Sequence, residues 1–254
     1  MKLPLETIAK KYSWVMSGEY RILPWAKDML DETKKKDAPW SYFVEGGRAS
    51  CITTQTMFVM LEAIYPRKNV CGIVLSKHMK DTWENLLFCA GKFHKKGEDL
   101  GEGKYKGYGC DVDFGGKALF YGNKTIDVMD ADGYYVSELL KSLNLDKPRI
   151  VMFDNIHEWE KDEYEGLMNL LAPKMAFHTF NSPSGYVRDW IVDAVMKQNA
   201  YCSSGHTYME VPKNWIGEKC IAQAEQLKAQ NVEAYAKEYG FLFVNGEAVT
   251  PPEG

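Results

Sequence analysis

A glycine-containing turn at residues 46–53, GGRASCIT, has the composition of a phosphate-binding loop. It follows an apolar segment typical of a buried strand and precedes apolar residues at helical spacing. Backbone amides at a strand-to-helix turn attract anions, and the helix N-terminus adds to that attraction. The candidate nucleotide-binding residues are therefore Gly46, Gly47, Arg48, Ala49, Ser50, Cys51, Ile52 and Thr53.

This turn departs from the complete phosphate-loop pattern, GxxxxGK(S/T), at two positions. Gly46 and Thr53 match the first and last positions, whereas Cys51 replaces the second glycine and Ile52 replaces the lysine. Without the lysine, one charge-assisted contact to phosphate is lost, although backbone amides can still bind the anion. A plain strand-to-helix connection is the alternative interpretation.

The apolar run RIVMFDN at 149–155 ends on a carboxylate that could hold Mg²⁺. Asp154 would bind the metal directly or through water, together with the hydroxyl of Thr53. The next residue, Asn155, stands where hydrolytic sites carry an acid that polarises the attacking water. An amide cannot accept that proton at neutral pH, and Glu158 could replace it only if the loop bends back. Apolar strands ending in Asp are common, so a purely structural role is the alternative.

The segment HTFN at 178–181 offers two further polar groups at the end of an apolar strand. Thr179 and Asn181 could sense the γ-phosphate of a bound nucleotide. Alternatively, Asn181 caps a helix or stabilises a turn.

The elements that position these residues alternate between strands and helices. Strands are predicted at 40–46, 69–76, 149–155 and 174–181, and helices at 53–65, 78–96, 133–145, 163–171, 214–228 and 231–239. Glycine and tyrosine in 97–132 predict β-hairpins, including a strand at 117–122. Residues 5–36 are predicted to be helical in part, interrupted at Pro24 and Trp25. This pattern predicts an α/β fold, a mostly parallel sheet with helices on both faces and a β-hairpin insertion.

Ligands of such folds bind at the carboxyl edge of the sheet, where the turn at 46–53, Asp154 and Asn181 would converge. We expect an N-terminal helical segment at 1–38, one domain at 39–245 and a tail or linker at 246–254.

The bulk composition narrows the class of protein. The 254 residues carry a net charge of −4, so charge alone would not hold the chain on DNA. No run approaches the roughly 18 apolar residues of a membrane span, and the N-terminus lacks the apolar core of a signal peptide. The six dispersed cysteines predict free thiols rather than a disulfide or zinc framework. A cytoplasmic protein is expected, and the acidic run at 158–165 is expected to be solvated helix surface.

Taken in order, these segments resemble the N-terminal ATPase domain of the phage terminase large subunit, the motor that packages DNA into phage heads. The family's loop, GGRGSGKS, is similar to GGRASCIT at 46–53. Similar segments are IVLSKHMKDTWENLL at 73–87, TFNSPSGYVRDW at 179–190 and the stretch 206–240. The resemblance covers roughly residues 40–245.

The resemblance implies a P-loop NTPase fold that binds ATP and Mg²⁺. Arg48 matches a family arginine that reaches the γ-phosphate, which makes Arg48, Asp154 and Asn155 the catalytic positions. Thr179 and Asn181 would couple phosphate state to movement, and Thr53 and Asp154 would hold the metal. Because Ile52 and Asn155 replace the family's lysine and acid, we expect weak nucleotide binding and slow or absent hydrolysis.

The implied partners are double-stranded DNA, the portal protein and the small terminase subunit, with a homo-oligomeric ring in the host cytoplasm. Family members continue into a nuclease domain where this sequence stops at Gly254, so a separate nuclease chain is an expectation. The first interpretation is thus a terminase-like protein of phage or prophage origin. The main alternative is a catalytically inactive module that contacts DNA, portal or terminase partners. An unrelated α/β enzyme is the third interpretation.

Overall fold

The protein is described by a computed structural model that covers most of the segments with candidate functional residues. The described residues are 22–64, 66–90, 98–101, 104–106, 111–113, 118–121, 124–130, 147–181, 189–198, 200–239, 243–244 and 247–248. The predicted helix at 133–145 and the part of the N-terminal segment before residue 22 lie outside them.

Strands and helices alternate along the described chain, as predicted. The helices are α1 (Pro24–Glu32), α2 (Ile52–Ile64), α3 (Met79–Ala90), α4 (Lys161–Leu171), α5 (Asp189–Lys197), α6 (Lys213–Ile216), α7 (Glu218–Gln230) and α8 (Val232–Tyr239). The strands are β1 (Ser41–Gly46), β2 (Cys71–Ser76), β3 (Glu98–Gly101), β4 (Lys104–Lys106), β5 (Asp111–Asp113), β6 (Ala118–Tyr121), β7 (Lys124–Asp130), β8 (Arg149–Phe153), β9 (Met175–Phe180), β10 (Tyr201–His206), β11 (Phe243–Val244) and β12 (Glu247–Ala248).

Within the described residues, six strands form a parallel sheet in the order β10-β1-β9-β8-β2-β7. The antiparallel strands β6, β5, β4 and β3 extend this sheet beyond β7. The predicted α/β fold, with its mostly parallel sheet and hairpin insertion, is confirmed. Strands β11 and β12 form a separate antiparallel pair in the C-terminal segment.

Both faces of the parallel sheet are covered, which explains why its central strands read as continuous apolar runs. Side chains of a strand alternate between faces, so Val44 packs into one core and Phe43 into the other. Helices α1, α2 and α3 supply the first core with residues such as Met29, Met60 and Trp83. The second core contains buried residues of α4 and α5 together with the fully buried Trp159.

Four features differ from the pattern in the sequence, one of which is that the helix predicted at 214–228 is two helices, α6 and α7, separated at Gly217. Pro24 begins α1 rather than interrupting a helix, because proline fits the first helical position, where no amide donor is needed. The edge strand β10 was not predicted, since YCSSGH lacks an apolar run and its residues are mostly half-buried. Helix α5 was also missed. None of the described helices is both long and apolar enough to cross a membrane.

Candidate functional site

Asp154 follows β8 at the carboxyl edge of the sheet and is almost fully buried. Its Oδ1 accepts hydrogen bonds from Thr53 (2.9 Å) and Thr179 (2.7 Å). Its Oδ2 lies 2.9 Å from the hydroxyl of Thr82 and 3.4 Å from that of Ser76. These hydroxyls come from α2, β9, α3 and β2. One carboxylate therefore connects four elements of the fold.

Thr53 and Asp154 together fit a hard cation such as Mg²⁺, which prefers oxygen ligands. Thr53 lies in the first turn of α2, directly after the glycine turn, and its hydroxyl contacts the carboxylate across 101 positions of sequence. The described residues contain no group of three or more His, Cys, Asp or Glu that could hold a metal ion. A magnesium ion at this pair would need water and phosphate oxygens to complete its coordination, as Mg²⁺ usually does.

The backbone of the turn at 46–53 adopts conformations that non-glycine residues rarely take. Ala49 has φ 62° and Cys51 has φ 61°, both in the left-handed region. Cys51 stands where the complete pattern has glycine, so the turn requires at this position a conformation that glycine adopts without strain. The amide of Gly47 donates to the carbonyl of His206 (2.9 Å), and the hydroxyl of Ser50 donates to the carbonyl of Gly47 (2.6 Å).

Ile52 does not contribute a polar group to the turn. Its side chain is buried in the core that contains Tyr42 and Val44. Gly46 lies against it, because a Cβ at Gly46 would be 2.7 Å from Cγ2 of Ile52. The position of the missing lysine is thus part of the apolar core.

Arg48 is bound to the C-terminal helix α8. Its guanidinium forms an ion pair with Glu238, and its amide donates to the carbonyl of the same residue (3.1 Å). The hydrogen bond to Glu238 raises the pKa of Arg48 above its already high usual value. Nothing in the sequence pattern indicated this contact.

The chain turns back immediately after Asp154. Such a turn is what Glu158 would need in order to replace the acid that is missing at Asn155. Asn155 is left-handed at φ 55°, and its amide donates to the hydroxyl of Thr179 (3.0 Å). A 3₁₀ turn over Ile156–Glu158 follows, and the indole of Trp159 donates to the carbonyl of Asp154 (3.2 Å). The turn is therefore fixed by hydrogen bonds at both ends.

The carboxylate of Glu158 faces imidazoles. Its Oε2 lies 2.8 Å from Nε2 of His78, and its Oε1 lies 3.8 Å from Nε2 of His157. The hydrogen bond to Glu158 raises the pKa of His78. Glu158 is the nearest acid after Asp154 along the chain, and it lies towards the end of β2.

Asn181 is connected to this cluster through His157, whose Nδ1 accepts a hydrogen bond from the amide of Asn181 (3.1 Å). The side-chain oxygen of Asn181 is buried and has no hydrogen-bond partner among the described residues. Buried polar atoms are normally paired, so an unpaired acceptor at the rim of a site is a candidate for contact with water or ligand.

The structure brings Thr53, Asp154 and Thr179 into direct contact and joins the backbone of Asn155 to Thr179. Arg48 lies instead against α8. Sequence reasoning missed Ser76 and Thr82, although a serine at the end of a predicted strand was a usable signal.

The described sheet and the groups around Asp154 define an α/β domain with its candidate site at the carboxyl edge of a mostly parallel sheet. Solved structures with this fold include large terminases of the thermophilic bacteriophage D6E. The ADP complex has a TM-score of 0.57 at 10% identity and covers 88% of this chain and 53% of that chain. A second crystal form has a TM-score of 0.56 at 10% identity, with coverage of 82% and 50%. The predicted resemblance to the terminase ATPase domain is confirmed at the level of fold.

The chain spans about half the length of the terminases that it matches. The Phi-28 gp11 DNA packaging motor matches less well, with a TM-score of 0.48 at 14% identity and coverage of 84% of this chain and 67% of that chain. No family model matches the sequence, and no curated protein matches it.

Proposed function

We propose that this chain is a terminase-like subunit of a phage DNA-packaging machine that binds Mg²⁺·ATP weakly at the site around Asp154. The observation that carries the proposal is the hydrogen bond from Thr53 to Asp154. A hydroxyl at the start of the helix and a carboxylate on a neighbouring strand are the protein ligands that a P-loop site supplies to magnesium. One of the structural relatives was solved in complex with ADP.

The expected activity is low because Ile52 stands in place of a lysine and Asn155 in place of an acid. A hydrogen bond to a charged group contributes about 1.5–3 kcal/mol, so the missing lysine weakens nucleotide binding about ten- to hundredfold. The guanidinium of Arg48 can pair with phosphate oxygens and offset part of this loss, provided that it leaves Glu238. Asn155 cannot take a proton from water, so hydrolysis is slow or absent.

The partners proposed for this subunit are double-stranded DNA, a portal protein and a small terminase subunit in the host cytoplasm. The solved relatives are phage packaging proteins, which supports this context. A homo-oligomeric ring belongs to the same proposal. The net charge of −4 favours local rather than extended contacts with DNA.

The second candidate function is a catalytically inactive module that keeps the fold for binding to packaging partners. The burial of Ile52 favours it, because the side chain at the position of the missing lysine packs into the apolar core. In this case Asp154 serves only to connect the four elements that donate hydroxyls to it.

Equilibrium binding of Mg²⁺·ATP to Thr53→Val and Thr54→Val separates the two candidates. Both changes replace a hydroxyl by a methyl group on adjacent residues of α2. The Thr54 hydroxyl contacts Asn85 (3.3 Å) rather than Asp154. The nucleotide site predicts that only Thr53→Val abolishes magnesium-dependent binding. Absence of binding to the unaltered protein at millimolar ATP would favour the inactive module.

Phosphate release measured on the unaltered protein and on Asp154→Asn then shows whether bound ATP is hydrolysed.

A further inference from the structure

We propose that the C-terminal end of α8 (Val232–Tyr239) competes with nucleotide for the turn at 46–53, so that the chain holds its own phosphate site closed. This inference rests on the proposed nucleotide site and concerns how that site is regulated. It follows from the contacts of three residues at the end of α8 and from the chemistry of the groups that they present.

The first contact is electrostatic. Arg48 donates from its guanidinium to the carboxylate of Glu238 and from its amide to the carbonyl of the same residue. Guanidinium and loop amide are the donors that a phosphate loop offers to phosphate oxygens. Glu238 supplies a carboxylate oxygen to the guanidinium and a carbonyl oxygen to the amide, and the C-terminal end of a helix adds negative partial charge. The end of α8 thus resembles the anion that the turn is built to bind.

The second contact is steric. A Cβ at Gly47 would lie 2.3 Å from the carbonyl oxygen of Tyr239, so backbone meets backbone at this point. A phosphate group cannot enter between two backbones in contact. The Gly47 amide donates to His206 of β10, so the groups that α8 withholds from nucleotide are those of Arg48. Binding of phosphate to Arg48 therefore requires that the end of α8 moves away.

The attachment of α8 is weak enough for such competition. It rests on a small cluster that includes Tyr208, Tyr239 and Tyr235, separate from the two main cores. Tyr235 stacks on Tyr239 at 5.3 Å, and Val232 at the start of the helix is 70% exposed. Arg48 is itself 61% exposed, so its ion pair stabilises the closed state only modestly. Small peripheral clusters of this kind are where local opening occurs.

Closure of the turn by α8 lowers the apparent affinity of the protein for nucleotide. When only a fraction of molecules has an open turn, the apparent Kd exceeds the intrinsic Kd by the inverse of that fraction. By reciprocity, nucleotide binding must loosen α8 to the same degree. A partner that captured α8 would raise nucleotide affinity in the same way.

The test uses the full chain and the variants Glu238→Gln and Glu238→Gln/Tyr235→Ala. The charge-matched control is Glu218→Gln, which removes an exposed carboxylate from α7. Binding of Mg²⁺·ATP and of tripolyphosphate is measured, and hydrogen exchange follows the peptides that contain the turn and α8. We expect about three- to fivefold tighter binding for Glu238→Gln and about tenfold for the double variant, with no change for the control. Added ATP should speed exchange in α8 while it slows exchange in the turn.

Two results would overturn the inference, and they differ in what they leave standing. If ATP protects the turn while α8 stays equally protected and Glu238→Gln binds no tighter, the competition is absent but the nucleotide site stands. If exchange shows α8 released in the double variant and neither probe binds, the nucleotide site itself is wrong, and the regulatory role of α8 is excluded with it. An increase with tripolyphosphate as well as ATP would locate the competition at the phosphates rather than at the base.

Discussion

Thr179 donates a 2.7 Å hydrogen bond to Oδ1 of Asp154 and accepts a 3.0 Å hydrogen bond from the amide of Asn155. One hydroxyl thereby fixes both the carboxylate and the left-handed turn that follows it. The site is consequently coupled to the stability of the sheet edge, and substitutions there have structural as well as functional effects.

Thr179→Val is expected to lower the free energy of unfolding by about 1–3 kcal/mol, because the part-buried amide of Asn155 and a buried carboxylate oxygen of Asp154 each lose a hydrogen-bond partner. Urea denaturation followed by circular dichroism measures the change. Thr54→Val is the matched control. It should lower the free energy of unfolding by less, because the hydrogen bond from the Thr54 hydroxyl to Asn85 is 3.3 Å long and only partly buried. Equal losses in the two variants would contradict the structural role of Thr179.

Restoring the lysine and the acid that Ile52 and Asn155 replace should restore ATP binding and hydrolysis. Ile52→Lys combined with Asn155→Glu is expected to bind Mg²⁺·ATP about ten- to hundredfold more tightly and to release phosphate. The variant should also lose stability by about 1–3 kcal/mol, because Ile52 is buried and Glu at position 155 would adopt φ 55°. Ile52→Met/Asn155→Gln, which adds no charge, is the control. A folded double variant that binds no more ATP than this control would contradict the idea of an eroded nucleotide site.

The buried histidine of β9 makes the fold sensitive to acid. His178 contacts the carbonyl of Tyr42 (3.1 Å) and the hydroxyl of Tyr164 (2.9 Å), and burial lowers its pKa to about 3. Below the unfolded value near 6.5, the unfolded chain binds a proton that the folded chain does not, so stability falls as pH falls towards 3. The loss from this group is at most about 1.4 kcal/mol per pH unit, and above pH 6.5 it vanishes.

His178→Phe is expected to flatten the decline of unfolding free energy between pH 7 and pH 5, measured by urea denaturation at each pH. His78→Gln is the control, because the pKa of His78 is raised by Glu158. That contact stabilises the fold below pH 6.5 and is lost as pH rises through the folded pKa, so its removal cannot flatten an acid decline. An unchanged slope in His178→Phe would rule out His178 as its source.

Arg149 at the start of β8 is an unusual buried cation. Nη1 donates to the carbonyl of Leu171 (2.8 Å), but Nε and Nη2 have no hydrogen-bond partner among the described residues. Because an incompletely paired buried charge is costly, Arg149→Met should leave stability unchanged or raise it by about 1–2 kcal/mol. Arg67→Met is the contrasting control. Arg67 donates to the carbonyls of Ala63 and Thr33, so its replacement should lower the free energy of unfolding. Both are measured by urea denaturation at pH 7, and a loss above about 1 kcal/mol in Arg149→Met would refute the argument.

The sequence predicted the central sheet because strands buried on both faces read as apolar runs, as in β2 and β8. It could not predict β10, whose half-buried edge position permits the polar sequence YCSSGH. The junction of Thr53 with Asp154 was expected because loops that follow parallel strands meet at one edge. The contact of Arg48 with Glu238 joins residues 190 positions apart without a local pattern, and only the packing of α8 produces it.

Strand β1 lies between β9 and β10, so Val44 is paired with Thr179 on one side and with Ser203 on the other. Both neighbours are synthesised more than a hundred residues after β1. During translation β1 therefore stays without its partner strands until β9 and β10 have left the ribosome. Such distant pairing makes folding slow and leaves an exposed strand that can aggregate in the meantime. The glycine turn of the candidate site is accordingly completed only late in folding, when β9 and β10 have paired with β1.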